Sequence, residues 1–470
     1  NMKKQFLACL IPGFLFFGCG KPKVIDIPDN YLLMKKLSGN LEVMGTSVQL
    51  IFNIYRDPKG ELISTMDSPL QNVYGIKTDE IVLSDSNIFL AVSSIKGIYK
   101  GEKIGPNKYK GVWTQGTNSF PLTIALMKRP QEPVDFPYII EDVVFSNKKE
   151  NFNLAGTLTT PYGDGPFPAV VLISGSGPQN RNEELMGHKP FLVLSDYFTR
   201  HGIAVLRYDD RGVGDSQGDR SNATSLDYAN DAEAAVNYLK SRNEFSSVGL
   251  AGHSEGGIIA PIVATQSKHV NFIILMGGTG LPGKEILKLQ GALILEQTEI
   301  SAEGLKVAKE VQSSMLEIVV EENNDEVATE KILALYKAYN NLSEKDQQLI
   351  GYDPKTFNAS SIKGLFGPWM SFFISFDPRP VLEKVKIPVL AINGEKDLQV
   401  PPKENLSEIK AALQRGENKN YEIHELKDLN HLFQTSETGA VSEYGSIEET
   451  FNEGAMDLMT QWILRIKEGR

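Results

Sequence analysis

One stretch of the chain decides its fold: residues 248–260 read VGLAGHSEGGIIA. Four residues suited to a buried strand lead into the pentapeptide GHSEG, and an apolar segment suited to a helix follows it. The G-x-S-x-G pattern alone is a weak signal, and an ordinary strand-to-helix turn is the alternative. In this context the pattern predicts a sharp turn that presents the Ser254 hydroxyl above the sheet, with flanking glycines that let strand and helix approach closely. Ser254 is therefore the candidate nucleophile.

On both sides of this stretch, buried strands and helical segments alternate. Continuous apolar runs, typical of strands buried on both faces, occupy residues 169–173, 203–206, 272–276 and 389–392. Apolar residues at helical spacing occupy residues 191–198 and 229–239. The alternation predicts an α/β domain over residues 138–470, built on a mostly parallel sheet that helices flank on both faces.

The alternation breaks between about residues 280 and 385, where the chain is polar and prone to form helices. A structureless loop of that length does not fit a compact domain. Apolar residues at helical spacing recur within it, including Ile332, Leu335 and Tyr339. The segment is therefore predicted to be an inserted helical unit that caps the domain.

Residues 29–129 follow a different pattern of short alternating strands separated by turn signals. Val48, Leu50, Phe52 and Ile54 show the two-residue period of a half-buried strand. This region is predicted to be a small antiparallel β domain, either a barrel or a sandwich. Residues 130–137 contain three prolines and are predicted to link it to the α/β domain.

The first 19 residues have the pattern of a secretion signal. The basic start Met2-Lys3-Lys4 precedes an apolar run over residues 6–17, which is too short to span a membrane. Gly18 before Cys19 resembles the lipobox of bacterial lipoproteins, which implies cleavage before Cys19 and lipid attachment to its sulfur; a plain signal peptide is the alternative. We therefore expect an exported lipoprotein facing the periplasm or cell surface, in contact with the membrane only through that lipid.

Charge and cysteine content exclude several classes of function. The chain has 48 basic and 59 acidic residues, a formal net charge of −11, without a basic stripe, so nucleic-acid binding is not expected. Its two cysteines, Cys9 and Cys19, both precede the folded body. That body therefore lacks a disulfide, a thiolate nucleophile and a cysteine metal site, and we expect no metal.

The general base is sought among the histidines that follow Ser254, because this architecture orders its catalytic residues as serine, acid and histidine. His269 precedes a strand and so lies at the wrong end of the sheet. His424 falls within a predicted strand, where a half-buried structural role is the better interpretation. His431 follows the last strand, on a loop at the carboxyl edge of the sheet, and is the predicted base.

The acid is predicted to be Asp397, which lies just past the strand at residues 389–392. A carboxylate there can hold His431 in the tautomer that accepts the serine proton. Glu395 is the alternative, although a loop charge pointing to solvent suits it better.

An oxyanion hole needs two preorganised donors. One is the backbone N–H of Glu255, the residue after the nucleophile, and the other is expected from the glycine-rich loop at residues 174–179. We predict Ser176 as that second donor, with Gly177 next. A phosphate cradle is the competing interpretation of the loop, but the lysine of a phosphate-binding loop is missing.

Four motifs together resemble one known family. They are SGPQNR at 176–181, YDDRGVGDS at 208–216, GHSEGG at 252–257 and NGEKD at 393–397. In this order they resemble the EstD-like carboxylesterases of the α/β-hydrolase superfamily, from about residue 138 to the C-terminus. The resemblance implies an α/β-hydrolase fold, action on short acyl esters, a helical cap and no cofactor. The N-terminal region resembles the small barrel-like domains fused to such hydrolases.

Two further groups of residues have competing interpretations. Arg211 and Asp215 are expected to hold the 208–216 loop together by ion pairs rather than to touch substrate. Aromatic side chains ahead of the Asp397 strand either line an acyl pocket under the cap or pack in the core; they are Trp369, Phe372, Phe373 and Phe376.

The sequence thus predicts a serine carboxylesterase that acts on a small-molecule ester through an acyl-Ser254 intermediate. A serine peptidase of the prolyl-oligopeptidase type shares the fold, but the region of about a hundred residues ahead of the α/β domain is too short for a propeller. A thioesterase uses the same acyl chemistry. A non-catalytic binding protein is the third alternative, which an intact set of catalytic residues disfavours.

Overall fold

The computed structural model describes residues 22–28, 30–43, 46–68 and 73–467. The predicted signal peptide and the lipid attachment site at Cys19 lie outside these residues. Within the described ranges, no helix has both the length and the apolar character needed to cross a membrane.

The N-terminal region is a single antiparallel sheet. Its strands are β1 (Leu32–Val43), β2 (Thr46–Arg56), β3 (Leu62–Ser68), β4 (Val73–Lys77), β5 (Glu80–Leu83), β6 (Asn87–Val92), β7 (Gly97–Gly105), β8 (Lys108–Gln115) and β9 (Asn118–Leu126). The spatial order is β4-β3-β2-β1-β9-β8-β7-β6-β5. The edge strands β4 and β5 follow each other in the chain, so the sheet curls until its edges meet.

The curled sheet encloses a core of aromatic and aliphatic side chains. Phe52, Tyr99 and Trp113 are fully buried there, on the inward-facing positions of β2, β7 and β8. The two residues between β4 and β5 bond to opposite ends of the sheet: Thr78 N–H donates to Ser64 O of β3 (3.1 Å), and Asp79 N–H donates to Ala91 O of β6 (2.7 Å). The prediction of a small all-β domain ahead of the α/β domain is confirmed.

The second sheet has the mixed arrangement that alternating strands and helices predict. Its strands are β10 (Ile139–Asn147), β11 (Phe152–Thr160), β12 (Phe167–Ile173), β13 (Ala204–Tyr208), β14 (Phe245–His253), β15 (Phe272–Met276), β16 (Val389–Gly394) and β17 (Tyr421–Leu426). The order is β10-β11-β13-β12-β14-β15-β16-β17. Strand β11 pairs antiparallel with both of its neighbours, β10 and β13. The six strands from β13 to β17 in this order are parallel to one another.

Helices cover both faces of this sheet. They are α1 (Pro190–Arg200), α2 (Ser225–Lys240), α3 (Gly256–Gln266), α11 (Pro402–Arg415), α12 (Val441–Tyr444) and α13 (Glu453–Lys467). Helices α2, α3 and α11 pack in the core on one face, while α1 and α13 pack on the other. Two layers of helices around a largely parallel sheet confirm the predicted α/β-hydrolase fold.

The remaining helices form one insertion between β15 and β16. They are α4 (Gly283–Glu296), α5 (Ala302–Glu321), α6 (Asp325–Tyr336), α7 (Glu344–Ile350), α8 (Ala359–Ile362), α9 (Pro368–Ser375) and α10 (Arg379–Leu382). The inserted segment coincides with the break in alternation between residues 280 and 385. Because the insertion begins directly after the carboxyl end of β15, it rises from the carboxyl edge of the sheet.

Candidate active site

Ser254 occupies the turn between β14 and α3 in a left-handed backbone conformation, with φ +53°. Such a conformation is unfavourable for a residue with a side chain and persists only where surrounding contacts enforce it. The Ser254 N–H donates to Met276 O (2.9 Å), and its carbonyl accepts from Gly257 N–H (2.9 Å). A Cβ on Gly252 would lie 2.0 Å from Gly256 O, so glycine is required where the turn folds back. The turn has the geometry predicted for a nucleophile elbow.

Asp397 and His431 meet at the same edge of the sheet, because they follow the parallel neighbours β16 and β17. The Asp397 Oδ2 to His431 Nδ1 distance is 2.7 Å, and both side chains are buried. The other oxygen of Asp397 accepts from the N–H groups of Gln399 and Val400, each at 2.8 Å. These bonds fix the orientation of the carboxyl group and leave Oδ2 to orient the imidazole.

The imidazole of His431 lies close to the Ser254 turn. Gly277 directly follows Met276, whose carbonyl accepts the Ser254 N–H. A Cβ built on Gly277 would lie 3.3 Å from His431 Nδ1, so the imidazole packs against this segment. Among the residues that the structure describes, no hydrogen bond joins the Ser254 hydroxyl to His431. In substrate-free enzymes this bond is often long and shortens when substrate binds.

The alternative base and acid occupy different surroundings. His424 lies within β17, partly exposed, with its Nε2 3.3 Å from Glu422. His269 lies between α3 and β15, away from the carboxyl edge. The side chain of Glu395 is exposed and accepts from Asp428 N–H at 3.0 Å. The structure therefore brings none of these three residues to the Ser254 turn.

The glycine-rich loop lies directly against the nucleophile turn, since a Cβ on Gly175 would be 3.2 Å from the Cβ of Ser254. In the described part of the chain, the backbone N–H groups of Ser176, Gly177 and Glu255 donate to no protein group. These are the three donors expected from the sequence, and they are free to bind an oxyanion. Gly177 has φ +97°, a conformation that favours glycine.

A buried carboxyl anchors this loop from below. Asp210 accepts from Ser174 Oγ and from Gln179 N–H, each at 2.9 Å. Burial raises the pKa of Asp210 to about 8, and the nearby charges of Glu255 and Asp231 act in the same direction. The hydrogen bonds only partly offset that effect, so a neutral Asp210 is favoured at neutral pH.

Helix α9 of the insertion reaches the residue next to Ser254. Glu255 is buried, and its Oε1 accepts from Trp369 Nε1 (2.8 Å) and Ser225 Oγ (2.6 Å). Burial raises the pKa of the Glu255 carboxyl. Of the four aromatic residues singled out in the sequence, Trp369 therefore approaches the site most directly.

Each of the other three aromatic residues stacks on another ring of the four. Phe373 is buried in the core and stacks on Trp369, with ring centroids 5.3 Å apart. Phe372 stacks on Phe376 at 5.1 Å, and the Phe376 carbonyl accepts from Gly283 N–H of α4 at 3.0 Å. For Phe373 the core-packing interpretation describes its surroundings better than pocket lining does.

Two residues to which the sequence assigned no role complete the site. Glu183 Oε1 accepts from Gly175 N–H (2.7 Å) and lies 2.9 Å from His253 Nδ1. His253 Nε2 lies 3.0 Å from the backbone oxygen of His431. The position of His253 directly before Ser254 was the available signal, whereas nothing local in the sequence marked Glu183.

The 208–216 loop is held by ion pairs. Arg211 lies 2.7 Å from Asp231 and 2.8 Å from Glu150, and Asp215 lies 2.8 Å from Arg181. Within the described residues, no group of three or more His, Cys, Asp or Glu side chains is arranged to hold a metal ion.

Comparisons with known proteins identify hydrolases and esterases as relatives. The family model described as serine aminopeptidase, S33, matches residues 190–334, which include Ser254. Esterase EstD of Thermotoga maritima is 26% identical over 332 residues, 70% of this chain and 70% of EstD. Human acyl-coenzyme A thioesterase 1 is 26% identical over 166 residues, 35% of this chain and 36% of its own length. Among solved structures, Pyrococcus furiosus esterase Pf2001 aligns with TM-score 0.41 and 16% identity, covering 73% of this chain and 96% of Pf2001.

Proposed function

We propose that this chain, an α/β-hydrolase homologous to esterase EstD, is a serine carboxylesterase that cleaves short acyl esters through an acyl-Ser254 intermediate. The observation that carries the proposal is the 2.7 Å contact between Asp397 and His431 beside the strained Ser254 turn. The similarity to EstD over 70% of both chains supports esterase activity independently of that geometry.

In the proposed mechanism, His431 Nε2 accepts the Ser254 proton as Oγ attacks the ester carbonyl carbon. Asp397 accepts the Nδ1–H bond and stabilises the imidazolium that forms. The backbone N–H groups of Glu255 and Ser176, with Gly177 next, donate to the tetrahedral oxyanion. Collapse of the intermediate expels the alcohol, which takes the proton from His431. Water then attacks the acyl carbon as His431 accepts its proton, and a second collapse releases the acid while Ser254 Oγ regains that proton.

Labelling by a fluorophosphonate probe tests the nucleophile directly. We expect the folded chain to form one adduct, at Ser254, and Ser254→Ala to form none. The same variant should lose at least ~10³-fold in kcat on an ester substrate, because a triad whose nucleophile is removed retains only binding and oxyanion stabilisation. An adduct on another serine, or a loss of tenfold or less, would show that Ser254 is not the nucleophile.

Two other classes of acyl substrate, peptides and coenzyme A thioesters, have support from the comparisons. The matched family model is described as a serine aminopeptidase, and one relative is an acyl-coenzyme A thioesterase. The discriminating measurement is kcat/KM for p-nitrophenyl acetate and butyrate, for aminoacyl p-nitroanilides, and for acetyl- and butyryl-coenzyme A. We expect the short esters to be the best substrates. A higher kcat/KM on the anilides or the coenzyme A thioesters would replace the esterase proposal with the corresponding alternative.

We also propose that the chain is exported and anchored through a lipid on Cys19, so that its ester substrates are extracytoplasmic. The basic start, the short apolar run and Gly18-Cys19 support this. Mass spectrometry of the membrane fraction should find a lipidated N-terminal cysteine, and Cys19→Ala should move the chain out of that fraction. An unmodified Cys19 in the mature chain would contradict the anchor.

A further inference from the structure

Glu183 and His253 form a buried pair at the point where three segments of the site meet. Their exposed fractions are 4% and 7%. Nδ1 of His253 faces the Glu183 carboxylate at 2.9 Å, and Nε2 faces the backbone oxygen of His431 at 3.0 Å. A carboxylate and a carbonyl oxygen can only accept hydrogen bonds. Both ring nitrogens must therefore carry a proton for both bonds to form, which makes the ring an imidazolium.

We propose that His253 is held as an imidazolium by Glu183, and that this ion pair positions the general base His431 and the oxyanion loop relative to Ser254. The role assigned to the pair rests on the proposed function, although its charge state does not. His253 and Glu183 are positioning residues, since neither touches the reacting atoms.

The charge state is consistent with the other groups that face the ring. Burial alone would lower the pKa of His253, but the charge and hydrogen bond of Glu183 raise it above its ordinary value. The bond to the His431 carbonyl and the negative charge of Asp397 act in the same direction. A buried ion pair requires that its hydrogen bonds be satisfied, and here each ring nitrogen and the accepting carboxylate oxygen has a partner.

The positioning role follows from what each end of the pair holds. Oε1 of Glu183 also accepts from Gly175 N–H at 2.7 Å, and Gly175 lies against Ser254 and directly precedes Ser176. Nε2 of His253 fixes the main chain of His431. The pair thus connects the oxyanion loop after β12, the nucleophile turn after β14 and the base loop after β17.

The ring of His253 also lies beside the ring of His431, with the ring centroids 4.8 Å apart and the planes tilted by 43°. The pair therefore contacts His431 through its ring as well as through its main chain. Asp397, whose Oδ2 lies 2.7 Å from Nδ1 of His431, stabilises the imidazolium when the serine proton arrives.

The first test is the charge state, measured by ¹⁵N NMR of the full chain with labelled histidine. At about pH 8 an ordinary histidine is neutral, because its pKa is ~6.5. We expect one imidazole with both nitrogens protonated, assigned by its loss in His253→Gln. His424→Gln, which changes a partly exposed histidine, should leave this signal in place. A neutral His253 in the wild-type chain would overturn the proposal whatever the activity measurements show.

The second test is Glu183→Gln, which keeps the shape of the side chain and removes its charge. His253 then becomes neutral and can donate only one of its two bonds. We expect kcat to fall by about 10- to 100-fold, since small misplacements of catalytic groups have effects of that order, while KM changes little.

Glu184→Gln, at the adjacent position, is the matched control and should retain wild-type kcat. Unchanged kcat in Glu183→Gln, or a loss that appears in KM rather than in kcat, would refute the positioning role. If Glu183→Gln fails to fold, the NMR measurement on the wild-type chain still decides the charge state. If Ser254 fails to react with the fluorophosphonate while His253 is found doubly protonated, the proposed function fails and the ion pair stands.

Discussion

Burial is the main cause of the raised pKa of the Asp210 carboxyl. With its pKa raised to about 8, its carboxyl keeps a proton in the folded chain that the unfolded chain releases near pH 4. Between these values the folded state binds more protons than the unfolded state. The free energy of unfolding therefore falls as pH rises through this window, and the loss is complete above about pH 8.

Asp210→Asn tests this linkage, because an amide is neutral at every pH and can replace the protonated carboxyl beside Ser174 and Gln179. We expect the melting temperature of the wild-type chain to fall relative to that of the variant between about pH 5 and pH 9. Differential scanning calorimetry at several pH values measures the difference. Asp164→Asn, at an exposed turn, is the control and should follow the wild-type curve. Parallel curves for Asp210→Asn and the wild type would show that Asp210 is ionised throughout.

Among the elements, helix α9 connects the insertion to the nucleophile turn through the Trp369–Glu255 hydrogen bond. The sequence predicted helices in this segment and aromatic residues at its end. It could not distinguish the four aromatic side chains, since each is compatible with a core or a pocket. The distinction arises from the rotation of α9, which buries Phe373 and turns Trp369 toward Glu255.

Trp369→Ala should widen the space beside Ser254. We expect the ratio of kcat/KM for a p-nitrophenyl octanoate over the acetate to rise by roughly tenfold, in line with the 1–3 kcal/mol that a methylene is worth in an apolar pocket. Trp369→Phe keeps an aromatic ring and should change the ratio less. Phe372→Ala removes a ring that stacks on Phe376 and serves as the matched control. An unchanged ratio in Trp369→Ala would mean that the acyl chain lies elsewhere.

At the scale of the whole molecule, the N-terminal domain packs beside the loops of the active site. Arg129, at the end of this domain, donates to the carbonyl oxygens of Gly187 (3.1 Å), Gly445 (2.8 Å) and Ile447 (3.1 Å). Gln434 lies on the loop that carries His431. Its Nε2 donates to Glu449 O at 2.9 Å, close in the chain to the carbonyls that Arg129 binds. The β domain thus packs against the segment that follows His431.

Arg129→Met keeps the aliphatic length of the side chain and removes these hydrogen bonds. Burial lowers the pKa of Arg129 to about 10, yet it stays charged at neutral pH and donates to carbonyl oxygens of two separate loops. We expect a loss of roughly 2–4 kcal/mol in the free energy of unfolding, measured with urea. Lys128→Met, which removes only an exposed ion pair to Glu448, should lose less than ~1 kcal/mol. Equal stability of the two variants would contradict the supporting role of the interface.

The fold class could be read from the sequence, which also predicted the helical insertion and the turn that contains Ser254. These features arise from local periodicity and from runs of neighbouring residues. The sequence also indicated Asp397 and His431, because parallel strands bring their carboxyl ends to one edge; their catalytic roles stay predictions. Three contacts are visible only in the folded chain: Glu183 pairs with His253, Trp369 reaches Glu255, and Arg129 bridges the two domains. Such contacts join residues far apart in the chain, so they depend on the order of strands in the sheet and on side-chain burial, which local patterns do not encode.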